Sequence, residues 1–371
     1  MPLSPPAIAR ETRALAALLT HPDPAGAAAL DEARLAQADC HGITVLLAAS
    51  LRAAGLTDAL AGPVRAALDA AVRGAVAMEA VQTAHASRAV AALRAAGVVP
   101  ILFKGAALAT THYAHPWERP RGDVDLLVST DRLAAAAAAL EAIGCRRVER
   151  PAGSFVTYQA RFVAAVGAVE TAYDLHWRVA DPQAFGHLFT YDGLAADAVA
   201  GPVPGSRQAG PVSALLIACV HRAAHHFDTD RLLLLCDVDR LARGLAPADW
   251  DRFAALAEAG AVRAVCARAL DLSAALLETP VPAAVRDRLA QGAPEPSARF
   301  VGGELRRVDV LRSDLARLET WRARAALVQE HLFPPRAFMA ARYGVDRPLL
   351  LPFLYADRIL RGVTRWFRPV R

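Results

Sequence analysis

The chain has 371 residues, enough for two or three domains and a full hydrophobic core. Hydrophobic residues make up 54% and charged ones 21%, which excludes a disordered chain. A net charge of +5 and a pI of about 9.2 suit a phosphate-bearing partner but do not mark a nucleic-acid binder.

Met1-Pro2-Leu3-Ser4-Pro5-Pro6 lacks a basic stretch followed by an apolar run, so no signal peptide is expected. No run approaches the roughly 18 uninterrupted apolar residues of a membrane span. The expectation is a cytoplasmic protein without an integral membrane segment. Cys40, Cys145, Cys219, Cys236 and Cys266 are odd in number and lack Cys-x-x-Cys spacing. They read as reduced, buried thiols and not as a zinc ribbon.

Residues 7 to 97 read as helices. Leu15, Leu18 and Leu19 have helical spacing, Ala27 to Leu35 follows, and Ala66 to Ala96 is a long alanine-rich stretch interrupted only by Gly74. The texture changes after Gly97. Val98 to Phe103 fits a buried strand, Gly105 to Tyr113 a helix, and Val124 to Val128 a second strand. Thr130-Asp131 reads as an N-cap for a helix over Arg132 to Ile143. Strands follow at Arg146 to Glu149, Ser154 to Val163 and Val169 to Val179. The order β-α-β-α-β-β-β predicts an α+β fold, a small mixed sheet with helices on one face.

Helices are expected again at Val212 to Phe227, Thr229 to Arg243, Pro247 to Ala259, Val262 to Leu277 and Pro282 to Ala290. Residues 334 to 352 are Pro-rich and read as irregular. The domains expected are a helical region over 1–97, a catalytic core over 98–210 and a helical domain over 211–371. In the tail, Arg358, Arg361, Arg365, Arg368 and Arg371 are spaced mostly along one helical side. They read as a solvated helix end or as a contact with anionic lipid or a partner protein.

The chemistry is concentrated in Arg121-Gly122-Asp123-Val124-Asp125-Leu126-Leu127-Val128. On a strand, Asp123 and Asp125 point the same way. Two acids on one face of a buried strand repel and lose solvation, so a cation must neutralise them. The hard divalent ion for an all-oxygen pair is Mg²⁺, with Mn²⁺ as its substitute. Glu170, Asp174, His176 and Arg178 share the polar face of a later strand. Asp174 is the choice for the third acid of a two-metal site and for a general base, with Glu170 as its alternative. Its carboxylate is expected within about 4–6 Å of the other two.

Lys104-Gly105 ends a strand and opens a helix, a place for a phosphate, with Lys104 as an exposed point charge. Arg119 and Arg121 flank the same site as further phosphate contacts. His221 and His225 are four residues apart on one helix but lack the further ligand and glutamate of a zinc site. They either line a cleft opposite the sheet or tie two helices together. Asp237-Val238-Asp239 lies in a helical stretch, where i and i+2 diverge, so it is not a second metal pair.

Taken in order, Lys104-Gly105, then Arg119 or Arg121 with Asp123 to Val128, then Asp174-Leu175-His176-Trp177 resemble the nucleotidyltransferase superfamily related to DNA polymerase beta. They resemble its uncharacterised bacterial branch more closely still. The likeness continues through the His221 to Asp239 helices and Leu332-Phe333-Pro334-Pro335, covering most of the chain beyond residue 75. The superfamily's usual Gly-Gly or Gly-Ser is Lys104-Gly105-Ala106 here, with no serine hydroxyl for the phosphate, and the gap to the Asp pair is longer than typical. The resemblance implies a five-strand mixed-sheet core, Mg²⁺ and a nucleoside triphosphate donor. The acceptor stays open, with a small molecule, peptide or protein side chain favoured over RNA, and the oligomeric state is not given. A phosphotransferase using the same acids and a non-catalytic nucleotide-binding scaffold are the competing functions.

Overall fold

Alanine and leucine at helical spacing build α1 (Arg10–Thr20), α2 (Pro24–Ala28), α3 (Glu32–Cys40), α4 (Thr44–Ala53) and α5 (Gly62–Ala95). The computed structural model describes residues 8–150, 155–166, 169–292, 294–302, 305–345 and 347–368. Asp23 and Asp31 cap α2 and α3 by accepting the Gly26 and Arg34 N–H groups, both at 2.9 Å. The long helix α5 runs unbroken through Gly74. Its second half buries Ala86, Ala89, Val90 and Leu93 against the sheet.

Among the described residues, seven strands form one sheet: β1 (Ile101–Leu102), β2 (Asp123–Leu127), β3 (Arg146–Val148), β4 (Gln159–Val166), β5 (Val169–His176), β6 (Val199–Ala200) and β7 (Arg207–Gln208). Their spatial order is β3-β4-β5-β2-β1-β7-β6. β2 pairs with β5, and β1 with β7, in parallel; the remaining pairs are antiparallel. The mixed sheet with flanking helices is the expected α+β class. β6 and β7 extend it beyond the five strands expected, because two-residue strands show no alternation to read. Between the strands lie α6 (Gly105–Thr111) and α7 (Leu133–Ala142). Thr130 and Asp131 form a 3-10 turn without a side-chain cap, and α7 starts at Leu133.

The rest of the chain supplies α8 (Tyr191–Ala195), α9 (Pro211–His226), α10 (Leu232–Gly244), α11 (Pro247–Ala259), α12 (Arg263–Leu277) and α13 (Ala283–Ala290). Then come α14 (Arg307–Arg317), α15 (Trp321–Leu332), α16 (Arg336–Tyr343) and α17 (Leu351–Trp366). The stretch expected to be irregular therefore contains α16. Pro335 precedes its first residue, and Gly344 ends it in the left-handed conformation. No helix among the described residues is long and apolar enough to cross a membrane.

The sheet divides two cores. Val124, Leu126, Tyr173, Leu175 and Phe162 face α5 and α7. Phe103 and Leu127 belong to a larger core that joins Leu15 and Leu47 of the N-terminal helices to Leu215, Leu235 and Phe253 of the C-terminal ones. The five cysteines are free, with all but Cys40 buried.

α14 docks through Asp314, which accepts the Gln183 N–H at 2.8 Å. Burial, then the charge of Asp181, pushes Asp314 from 3.8 up to about 7. A folded pKa above the unfolded one gives stability that is complete below about pH 4 and is lost as pH rises through about 7. Asp314→Asn keeps an acceptor for Gln183. It is expected to raise the unfolding free energy, and Tm with it, by a margin that grows from acid to pH 8, up to an upper bound of about 4 kcal/mol. Thermal melts across that range check it.

Candidate active site

The parallel register of β2 and β5 sets Asp125 opposite Asp174 and Asp123 opposite Ala172. Strand alternation then gives Asp123, Asp125, Asp174 and His176 one face, away from α5 and α7. Asp125, Asp174 and His176 are buried, and Asp123 is half-buried at the edge. Glu170 sits beyond this register, exposed, with Arg146 at 4.0 Å. The acid brought to the Asp pair is Asp174.

The protein supplies counter-charges of its own. Lys104 Nζ donates to Asp125 Oδ1 at 2.8 Å, and His176 Nε2 lies 2.9 Å from the same oxygen. His176 Nδ1 faces the Arg178 carbonyl at 3.2 Å, which orients the ring. Arg161 stands opposite Asp174 on β4, with Nη1 3.5 Å from Asp174 Oδ2 and 3.7 Å from Asp123 Oδ2.

These contacts push the two acids of β2 apart. Burial raises Asp125, but Lys104 and then His176 outweigh it and hold its carboxyl below the usual range. Burial, then the charges of Asp125 and Asp174, raises Asp123 to about 6.

One observation fits a metal ion at this face. Asp174 Oδ1 is buried with no hydrogen-bond partner. One ligand atom each from Asp125, Asp174 and His176 lie within 4.8 Å of one another. The two carboxylates are donors for Mg²⁺ or Mn²⁺, and the imidazole is a softer third.

Lys104 is the only lysine of the chain. Its side chain is 11% exposed, not the exposed charge expected, and its ammonium also lies 4.9 Å from the Phe103 ring centre. Its backbone has φ 53° and ψ −137°, a conformation costing a side-chain-bearing residue roughly 1–3 kcal/mol. Next to it, a Cβ on Gly105 would lie 2.5 Å from Arg119 Nη1. Gly105 thus makes room for a guanidinium. Gly105→Ala is expected to lower stability by about 1–3 kcal/mol by overpacking a pinned arginine, read by denaturant unfolding.

Arg119 and Arg121 lie beside this turn, each held by a carboxylate. Arg119 donates to Asp237 through Nε at 3.1 Å and Nη2 at 2.6 Å, and the Tyr113 hydroxyl donates to Asp237 at 2.7 Å. Arg121 donates to both oxygens of Glu79 at 2.5 and 2.9 Å. The two arginines tie the segment before β2 to α10 and to α5. Asp239 points elsewhere, towards Arg243 and Thr279.

The histidines of α9 face two cavities. His221 lines one of about 70 Å³ with Phe103, Lys104 and Asp237. His225 lines another of about 370 Å³ with Asp181 and Asp314. Burial, then the charge of Lys104, lowers both, His225 to about 3. His221 Nδ1 and His225 Nε2 are buried without partners. Arg222 and Asp228, from the same polar cluster, form an ion pair at the end of α9.

Sequence reasoning singled out the three acids and Lys104 but gave no role to Arg161 or to His176. His176 was visible on the polar face of its strand. Arg161 became readable only through the register of β4 against β5.

The model of a family described as uncharacterised nucleotidyltransferases matches residues 29–278. No curated protein and no solved structure gave a match. The matched residues take in the whole acid face, Lys104 and the histidines of α9, and the chain belongs to this uncharacterised nucleotidyltransferase family.

Proposed function

We propose that the chain transfers a nucleoside monophosphate group from a nucleoside triphosphate to an acceptor. Asp123, Asp125 and Asp174 hold Mg²⁺ or Mn²⁺ in this reading, with His176 as a further donor. The observation that carries it is the pairing of Asp125 with Asp174 in register, with one oxygen of Asp174 buried and unpartnered. The bound ion would neutralise phosphate charge and orient the reacting groups. Lys104 keeps Asp125 ionised and fixed. In the same reading Asp174 serves as the general base for the acceptor's proton. The triphosphate is assigned to the turn at Lys104 and Gly105, with Arg119 and Arg121 holding that turn in place. The acceptor is assigned to the space between this face and α9.

The test is incubation with each triphosphate and Mg²⁺ over a set of small-molecule, peptide and protein acceptors. Nucleotidyl transfer releases pyrophosphate and adds a nucleoside monophosphate mass to the acceptor. Release of a nucleoside diphosphate would indicate a phosphotransferase instead. A non-catalytic scaffold has one observation in its favour, the counter-charges from Lys104 and Arg161. A Mn²⁺ titration separates it, since a scaffold with internally neutralised acids binds no ion.

Two further outcomes follow from this reading. Affinity for the divalent ion should fall as pH drops through about 6, because the ion must displace a proton from Asp123. Calorimetric titration with Mn²⁺ at several pH values reads it. Lys104→Ala should raise the triphosphate KM roughly tenfold or more, the worth of one charge-assisted hydrogen bond, measured by steady-state kinetics. Lys104→Arg should not restore it, because a planar guanidinium does not fit where a compact ammonium sits.

A further inference from the structure

The end of the chain inverts the usual amphipathic plan. A helix of a globular protein turns its apolar stripe inward. On the segment that includes α17, Leu349, Phe353, Leu360 and Phe367 are 88%, 72%, 73% and 57% exposed. At 100° per residue they fall within about 40° of one another, so they form one outward stripe. The inward side carries Arg358, whose Nη1 donates to the His331 carbonyl at 2.6 Å, and Tyr355, whose hydroxyl donates to the Pro334 carbonyl at 2.7 Å. Beside the stripe runs an apolar groove of about 420 Å³ lined by Phe333, Leu351, Pro352, Tyr355, Ala356 and Ile359.

Next to this apolar surface is a cleft of about 430 Å³. Arg307, Arg342, Arg358 and Arg361 line it, together with Trp366 and Phe338. No carboxylate lines it among the described residues; Asp357, at its edge, pairs with Arg361 at 2.7 Å. Burial, then the charge of Arg342, lowers Arg358, so an anion in the cleft would be favoured. The charge is regional. Residues 320–371 hold ten arginines against three acids, a balance of +7 in a chain whose total is +5. All of this lies beyond the residues that the family model matches.

We propose that α17 and the arginine cleft form a peripheral docking surface for an anionic lipid bilayer. Phe353, Leu360 and Phe367 enter the acyl boundary, and the cleft takes a phosphate headgroup. Apolar side chains on one face with arginines beside them are what an interfacial helix needs, and each basic residue near an anionic surface adds about 1 kcal/mol. A second copy of this chain would suit the apolar stripe alone, but the same cluster of arginines on both copies would repel.

Co-sedimentation of the full chain with phosphatidylcholine vesicles, with and without equimolar phosphatidylglycerol, tests this. The chain should pellet with the anionic vesicles, stay in solution with the neutral ones, and be released by salt. Arg342→Gln and Arg361→Gln should each lower partitioning roughly fivefold. Phe353→Ser with Leu360→Ser should lower it on the order of tenfold or more, with an unchanged circular dichroism spectrum, since both residues are exposed. Equal binding to both vesicle types, or none by the folded chain, would overturn the proposal. So would a dimer in light scattering that the Phe353/Leu360 double variant dissociates, which would give the face to a second copy.

Discussion

Asp174→Asn is expected to lower kcat roughly 10³-fold, since losing several kcal/mol of charge stabilisation costs a factor of ten per 1.36 kcal/mol. Its fold should survive. The only cation beside Asp174 in the described structure is Arg161 at 3.5 Å, and Arg161 also reaches Asp123. Removing one of three clustered acids relieves repulsion, so Tm should hold or rise. Asp125→Asn should lose activity to a similar degree but behave differently on melting. It would leave Lys104 and His176 without their shared carboxylate, and breaking a buried pair from one side costs about 3–5 kcal/mol. Like-charge repulsion alone would make either β2 acid removable at little cost to the fold. The lysine contact changes that expectation for Asp125. Kinetics and thermal melts on the two variants side by side check the distinction, and full activity in Asp174→Asn would remove the metal reading.

Arg119→Ala should have the largest effect on stability away from the acids, a loss of about 3–5 kcal/mol. The guanidinium and Asp237 are both buried and joined by two hydrogen bonds, with the Tyr113 hydroxyl on the same carboxylate. Removing the arginine leaves Asp237 charged in the interior. Asp237→Ala should cost as much, and the double variant less than the sum of the two. Urea unfolding of the three variants measures that coupling. Independent, additive losses would mean that the two side chains do not act as a pair.

The sequence made the acid face legible because strand alternation is a local rule. Asp123, Asp125, Asp174 and His176 could be assigned to faces from their own strands. Partners set by tertiary structure were out of reach. Arg119 meets a carboxylate 118 residues away, and Arg121 meets one 42 residues away. Each was free, on the sequence alone, to be read as a phosphate contact. The same limit applies to Lys104. Its place before a helix was readable, but its burial against Asp125 depends on β1 lying beside β2. Long helices with regular apolar spacing were found with ends close to those observed. β6, β7 and α16 were not, since none is long enough for its period to stand out, and α14 and α15 had been given no bounds.

The solitary lysine turns the centre into its own reporter. A chain grown with ¹⁵N-labelled lysine carries the label in one side chain and one amide. A single ammonium resonance would then follow whether that nitrogen rests on Asp125 or is drawn away by an arriving phosphate. It would do so with no competing signal from the other 370 residues and no engineered probe.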